Sequence, residues 1–171
     1  MAAHSDTFVD SHVLFDFGRS SRIGLPEAVF CEGKPFSSLK SLLSRFGRGS
    51  GHPILFTRLS PDVFGSMPGE IKEAYDYDPL SRTAFGDTMP ERKRGSVAIV
   101  SAGTADGFVT FEAARTLTYL GVHNEVFEDC GVAGLWRLTE KLPAINACDC
   151  VIVVAGLDAA PHHPYVRLGD I

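Results

Sequence analysis

No stretch of this chain approaches the roughly 18 consecutive apolar residues of a membrane-spanning helix, so a transmembrane reading falls away. The first residues carry an acid and a histidine where a secretion signal would place a basic segment and an apolar core, and a cytoplasmic location is expected. Positive charge is also scarce: 16 Lys and Arg stand against 21 Asp and Glu, for a net charge of −5. Without clustered Lys and Arg, nucleic acid is not an expected partner. Four cysteines, Cys31, Cys130, Cys148 and Cys150, lack the CxxC pairs of a zinc site and read as free thiols. A GxGxxG fingerprint is missing too, because Gly103 and Gly107 are separated by three residues rather than two and no glycine stands just before Gly103. The strand-like run Val97 to Ser101 contains no acid, which disfavours a phospho-acceptor receiver.

What is present organises around that run. Val97-Ala98-Ile99-Val100 has the small and β-branched character of a strand buried on both faces in a parallel sheet. Small polar residues follow through Gly107, and Phe108, Phe111, Leu117 and Leu120 then recur at roughly helical spacing. The pattern repeats. Glu125 to Glu128 reads as a strand, Asp129 to Gly134 as a second small-residue loop, and Leu135, Leu138 and Leu142 as a helix running up to Pro143. Cys150 to Ala155 is a third buried strand, closed by Gly156. Alternation of this kind predicts right-handed crossovers, with the loops at 101–107, 129–134 and 155–158 gathered on the strand edge where parallel sheets bind ligands.

The first half reads as a smaller unit. Ala28 to Cys31 forms a short strand with Glu32-Gly33-Lys34 as its exit turn, and Ser37 caps a helix carrying Leu39, Leu42, Leu43 and Phe46. Ile54 to Thr57 is a second strand, Ser60-Pro61 opens a short helix broken at Met67-Pro68-Gly69, and Tyr75 to Pro79 is a polar stretch. Such a unit alone is small enough to need a packing partner. Arg19 and Arg22 either share a helical face that grips a phosphate or pair with Asp16 or Glu27.

Two chemistries fit the predicted edge. An NAD-binding oxidoreductase would use Glu128 and Asp129 on a ribose. An enzyme of nucleotide or phosphoribosyl substrates would hold phosphate with loop amides and the hydroxyls of Ser101 and Thr104. Asp106 would then orient a substrate group, act as acid or base, or help hold a metal; the plainer alternative is an N-cap for the following helix. Arg137 pairs either with a phosphate or with Glu140.

Taken together, Ser101-Ala-Gly-Thr-Ala-Asp106, Glu112-Ala113-Ala114, Asp129-Cys-Gly-Val-Ala-Gly134, Arg137-Leu138 and Val151-Ile-Val-Val-Ala-Gly156 resemble the LarB family of nickel-pincer cofactor biosynthesis proteins, which is related to the PurE-like phosphoribosylaminoimidazole carboxylases. Asp16-x-x-Arg19-x-x-Arg22-x-Gly24-x-Pro26-Glu27, Glu32-Gly33-Lys34, Thr57-Arg58 and Tyr77-Asp78-Pro79-x-x-Arg82-Thr83 are similar to that family's N-terminal pattern, and the likeness spans about residues 15–158. The fold implied is α/β: a three-layer parallel sheet, PurE-like with an incomplete flavodoxin-like core, joined to a small N-terminal α/β domain. The corresponding division is a flexible 1–14, the small domain at 15–85, a linker at 86–95, the PurE-like domain at 96–158 and a divergent tail at 159–171.

By the same resemblance the activity is carboxylation of the pyridinium ring of nicotinic acid adenine dinucleotide with hydrolysis of its phosphoanhydride. The products are pyridinium-3,5-biscarboxylic acid mononucleotide and AMP, with Mg²⁺ as cation and carbon dioxide or bicarbonate as co-substrate. Ser101, Gly103, Thr104 and Asp106 form the first substrate loop, with Asp106 in a catalytic role. Asp129, Gly131, Val132, Ala133 and Gly134 form the second, and Gly156 closes the third. A homo-oligomer is implied, octameric in the related carboxylases. The alternatives are a phosphoribosylaminoimidazole carboxylase-like purine enzyme and an inactive nucleotide-binding fragment. The family adds a cysteine thiolate to the ring from a Ser-Cys-Ala-Pro segment that this sequence does not contain. Cys130 is the replacement to consider. The residues from Leu157 through His162 and His163 depart from the family pattern and read as a truncated end, which is expected to leave a sheet edge exposed and the protein dependent on oligomer contacts.

Overall fold

Short β-branched and aromatic runs punctuated by Gly and Pro build short strands, which form three separate sheets among the described residues. A computed structural model describes residues 7–10, 13–16, 18–23, 25–90 and 95–156. The chain divides into two units, Met1–Asp87 and Thr88–Ile171.

In the first unit, β1 (Thr7–Asp10) and β2 (Val13–Asp16) pair as an antiparallel ribbon, followed by α1 (Arg19–Ile23). Within the segment expected to be flexible, Thr7–Asp10 and Val13–Leu14 take part in strands, since runs of four residues are too short to register as a period but can pair; the rest of 1–14 lies outside the described residues. Arg22 is engaged by the Asp16 carboxylate, which holds Asp16 below its ordinary pKa, and Asp16 N–H donates to Glu27 Oε2 at 2.6 Å. Of the two possibilities for Arg22, ion pairing is the one observed.

A second sheet has the order β3-β4-β6-β5, from β3 (Ala28–Phe30), β4 (Leu55–Thr57), β5 (Asp76–Asp78) and β6 (Thr83–Phe85). β3 and β4 are parallel; the other pairs are antiparallel. The polar Tyr75 to Pro79 stretch is therefore a strand, which its acidic residues concealed. Between β3 and β4 runs α2 (Phe36–Arg45), beginning with Pro35 rather than Ser37 at its N-cap. Leu39, Leu42, Leu43 and Phe46 are each 2% exposed or less and pack with Val29, Phe56 and Ala84 from the sheet. Phe15 lies against Phe46 with ring centroids 5.0 Å apart, and Phe56 meets Tyr75 edge-on at 5.6 Å. Ser60 caps α3 (Pro61–Gly65) by accepting from Val63 N–H, and α4 (Gly69–Glu73) follows.

The last carbonyls of a helix lack partners within it. Tyr75 supplies one: its buried hydroxyl donates to Leu43 O at 2.8 Å. Gly49 N–H donates to Asp87 Oδ2 at 2.7 Å, so the start of the 86–95 segment is tied into this unit.

The second unit is β7 (Ser96–Ser101), α5 (Gly107–Tyr119), β8 (His123–Phe127), α6 (Leu135–Ile145) and β9 (Cys150–Val154). All three strands are parallel in the order β8-β7-β9, with Ile99 opposite both Val126 and Ile152. Ala98 and Val100 pack with Leu138 and Ile145 of α6, while α5 crosses between β7 and β8 and buries Thr110, Ala114 and Tyr119. Right-handed crossovers to opposite neighbours of β7 put the two helices on opposite faces, which is the three-layer α/β arrangement expected. α6 continues through Pro143 to Ile145. Proline this late in a helix forfeits the bond to Thr139 O, and burial of Ile145 outweighs that loss. Among the described residues β8 and β9 are edges, and Val151 to Val154 are half-buried. Residues 91–94 of the segment read as a linker, and the tail with His162 and His163, lie outside the described residues.

The thiols divide sharply. Cys31 is buried and its pKa is pushed up to about 12 by desolvation. Cys130 is buried, its Sγ donates to Phe127 O and Glu128 O at 3.6 and 3.5 Å, and desolvation raises its pKa as well. Cys150 is exposed.

Two measurements follow from this packing. Tyr75→Phe leaves Leu43 O without its donor and is expected to cost about 1 kcal/mol in urea unfolding at neutral pH. Burial raises the Tyr75 pKa, so the folded state keeps a proton that the unfolded chain releases from about pH 10. This contribution is full below that pH and lost above it, and the variant should lose less stability on going alkaline. With a chromogenic disulfide reagent, Cys150 should react in the native protein, and Cys31 and Cys130 only on denaturation.

Candidate functional site

Parallel strands deliver their following loops to one edge, so the residues after β7, β8 and β9 have to meet at the C-terminal rim of the sheet. The meeting is held by specific bonds. Ala102 N–H donates to Val154 O at 3.0 Å and Cys130 N–H to Ser101 O at 2.8 Å. These extend the ladders past the strand ends. Asp106, in a 3-10 turn (Thr104–Asp106) that leads into α5, then bridges two loops with its two carboxylate oxygens. Gly103 N–H donates to Oδ2 at 3.0 Å and Gly156 N–H to Oδ1 at 3.1 Å. Its side chain makes no cap bond to α5, so the simple N-cap alternative is replaced by a brace between loops fifty positions apart.

The second loop closes against the first at backbone level. A Cβ on Gly131 would sit 2.7 Å from Ala102 O, a separation no real side chain tolerates, so only glycine allows the approach. Val132 to Gly134 form a second 3-10 turn leading into α6. Arg137, one turn further, folds back over it: Nη1 donates to Asp129 Oδ2 at 2.8 Å, rather than to Glu140 as its helical spacing would suggest. A Cβ on Gly134 would lie 2.6 Å from the guanidinium, so glycine there opens the space that Arg137 occupies. Asp129 takes a left-handed backbone, φ 56°, which aspartate tolerates better than most residues. Lys141 Nζ donates to Glu128 O at 2.5 Å, bringing a second α6 cation to the same loop.

Two polar atoms in this region are buried without a hydrogen-bond partner, Ser101 Oγ and Arg137 Nε. Ser101 is 0% exposed and ends β7 on the face of Ile99, opposite that of Ala98 and Val100. Buried donors seldom go unsatisfied, and each one asks for a partner. Thr104 and Ala133 are exposed, while Gly103, Asp106, Asp129 and Gly131 are half-buried. The first amides of a helical turn have no partner within it, so the start of the 104–119 segment presents donors to this rim.

Among the described residues no group of three or more His, Cys, Asp and Glu side chains is placed to hold a metal ion. Asp106 accepts two backbone N–H groups and Asp129 is paired with Arg137. The donor set does not fit a resident divalent cation. A cleft of about 400 Å³ lined by Met89, Thr118, His123, Asn124 and neighbours opens at the other end of the strands. It gathers neither carboxylates nor loop amides, and the rim is the better candidate on chemistry.

Ser101, Gly103, Asp106, Asp129, Gly131, Gly134 and Gly156 are thus linked through direct bonds or close approach. Sequence reasoning missed the Asp106 to Gly156 brace and the partner of Arg137. The first could have been found from the strand order, since the exit of the third strand borders the loop of the first.

Comparison with known proteins bears on the first unit. Residues 9–87 match the LarB/PurE-like N-terminal domain. Over 173 residues the chain is 29% identical to the uncharacterized protein MJ0165 of Methanocaldococcus jannaschii, with 95% of this chain and 66% of that protein covered. The chain therefore spans about two thirds of the relative's length. The match to the LarB/PurE-like N-terminal domain thus falls in the mixed α/β first unit, and a parallel three-layer second unit follows it.

Proposed function

We propose that the rim of the second unit binds the phosphate-bearing part of a pyridine dinucleotide and that the chain serves LarB-type carboxylation and phosphoanhydride hydrolysis of nicotinic acid adenine dinucleotide. The observation that carries this reading is the convergence of three loops at one rim, where two polar atoms, Ser101 Oγ and Arg137 Nε, are buried without a hydrogen-bond partner. A phosphate brings acceptor oxygens suited to donors of either kind. The amides of Thr104 and Ala105 add donors of the kind that grip anions at helix starts. Asp106 acts here as a positioning residue, fixing the first and third loops so that those donors keep one geometry. Asp129 holds Arg137 over the second loop, from which a dianionic phosphate would draw it.

Mg²⁺ is proposed only as a companion of the substrate's phosphates, which is how that ion is commonly held. Carbon dioxide or bicarbonate is the proposed co-substrate. A homo-oligomer would cover the half-buried β9 edge together with Leu135 and Trp136, which are 47% and 65% exposed. A second reading, nucleotide binding without ring carboxylation, is favoured by one observation: the only cysteine in the rim loops, Cys130, has its thiol buried and its pKa raised.

Incubation with nicotinic acid adenine dinucleotide, bicarbonate and Mg²⁺, followed by mass spectrometry, separates these. AMP together with a carboxylated pyridinium mononucleotide supports the first reading, saturable binding without turnover the second, and no binding removes both. Asp106→Asn, which cannot accept both amides, should weaken nucleotide binding roughly tenfold and lower stability by about 1–3 kcal/mol. If Asp106 instead moved a proton, the loss would fall on turnover with binding intact. Arg137→Met should cost about tenfold in affinity and Asp129→Asn should improve it a few-fold by releasing the guanidinium; the opposite signs would show that Asp129 itself contacts the ligand.

A further inference from the structure

The blocks Glu32-Gly33-Lys34, Thr57-Arg58 and Arg82-Thr83 are dispersed in the sequence of the first unit. The β3-β4-β6-β5 sheet brings them to one end. β3 and β4 are parallel with Phe30 opposite Thr57, so the turn at Cys31 to Lys34 and the residue Arg58 leave adjacent strands side by side, and Cys31 N–H donates to Thr57 O at 2.9 Å. β6 is antiparallel to β4 with Leu55 opposite Phe85 and Phe56 opposite Ala84. Beyond that pairing the chain leaves the register, and the bond from Leu59 N–H to Arg82 O at 2.8 Å holds the segment carrying Arg58 beside Arg82.

Both arginines have a left-handed backbone, φ 55° for Arg58 and 53° for Arg82. A bulky L-residue is disfavoured there, and glycine would remove the strain. Like charges held on neighbouring segments are also unfavourable. The surrounding bonds enforce the arrangement nonetheless. Leu59 N–H donates to Arg82 O at 2.8 Å, and Tyr77 OH donates to Leu59 O at 3.0 Å. Ser81 N–H donates to Asp78 Oδ2 at 2.8 Å, and the buried Ser81 and Thr83 hydroxyls share a hydrogen bond of 2.9 Å. Backbone strain held in place from several sides marks ligand clamps and active sites more often than plain scaffolding.

The charges at this end include Lys34, Arg58 and Arg82 and the acids Glu32, Asp62 and Asp78. Lys34 acts electrostatically on the Cys31 thiol beside the turn, and Asp78, Arg82 and Asp62 on Tyr77. Arg58, Arg82 and Asp78 have further interactions within the fold. Two planar guanidinium forks carried on neighbouring chain segments suit the oxygens of a phosphate.

We propose that this end of the first sheet is an anion site, taking a multiply charged oxyanion of the phosphate class between Arg58 and Arg82 with Lys34 alongside. It stands independently of the reading given to the rim of the second unit. The test is titration of the full chain with inorganic pyrophosphate, followed by amide chemical shifts and calorimetry, with AMP and adenosine as comparison ligands. Shifts are expected in 31–34, 57–59 and 81–83, from pyrophosphate and AMP but not adenosine. Arg58→Gly and Arg82→Gly should each weaken binding roughly tenfold or more, with the melting temperature unchanged or raised. Should a glycine variant fail to fold, Arg58→Lys and Arg82→Lys keep the charge and lose the fork, and at least about fivefold weaker binding is expected of each. Shifts confined to 101–107 and 129–134 would overturn this site while leaving the rim reading intact. Equal binding of adenosine, no shifts, or unchanged affinity in the arginine variants would overturn it too.

Discussion

A carboxylate accepts hydrogen bonds and donates none, and Asp106 uses that property to tie Gly103 N–H and Gly156 N–H to one side chain. The two amides belong to the exits of β7 and β9, which share a ladder but diverge once the strands stop. Without a common acceptor each loop would set its own course. With it, the turn at Thr104 to Asp106 is fixed against the third strand, and the start of α5 inherits that orientation. The bond from Cys130 N–H to Ser101 O then places the second loop against the first, at a distance that only Gly131 permits. The ties from the first loop to the second and third are backbone to backbone or backbone to carboxylate, with no long side chain to immobilise.

The first unit solves a different problem. The strands of its four-stranded sheet are three residues long, too short for ladder bonds alone to hold a sheet, and stability comes from the side chains of α2 packed on Val29, Phe56 and Ala84. The buried tyrosines link that core to the irregular chain around it: Tyr75 reaches the end of α2 through Leu43 O, and Tyr77, stacked on Phe64 at 4.1 Å, reaches the turn after β4 through Leu59 O. Those bonds hold Arg58 and Arg82 in a conformation they would leave if released. Part of the free energy gained in the core is thus spent as strain at one end of the sheet, a distribution common where a surface has to meet a ligand.

The second unit was legible because its signals are redundant. Val97 to Val100 and Val151 to Val154 are continuous apolar runs, the helices between them have clear spacing, and small-residue loops punctuate each step. Once parallel crossovers were expected, the gathering of Ser101, Asp106, Asp129 and Gly156 at one edge followed from topology. What was hidden depended on partners that local spacing does not mark. Arg137 lies three residues before Glu140, a natural helical pair, yet it turns back eight residues to Asp129 because Gly134 leaves room beside the turn. The β5–β6 hairpin escaped because Asp76 and Asp78 give it a polar pattern suited to an edge strand, and the β1–β2 ribbon because each half has only four residues. The end of α6 was set by the burial of Ile145, which proline two residues earlier did not prevent.

The same geometry bears on thiol chemistry at the rim. Addition to an electron-poor pyridinium ring needs a thiolate with access to the ring. Lys141 and Arg137 draw the Cys130 pKa down, but desolvation is the larger influence and the net direction is up. The hydrogen bonds of Cys130 Sγ to Phe127 O and Glu128 O further favour the protonated thiol, since a thiolate cannot donate. Cys150 is exposed but starts β9, four strand residues before the rim, which at 3.3 Å per residue is about 13 Å away. Cys148 precedes it, and Cys31 belongs to the first unit with its pKa raised to about 12. Burial and these two bonds disfavour Cys130 as a nucleophile, and a thiolate acting on a ring at the rim would come from another residue.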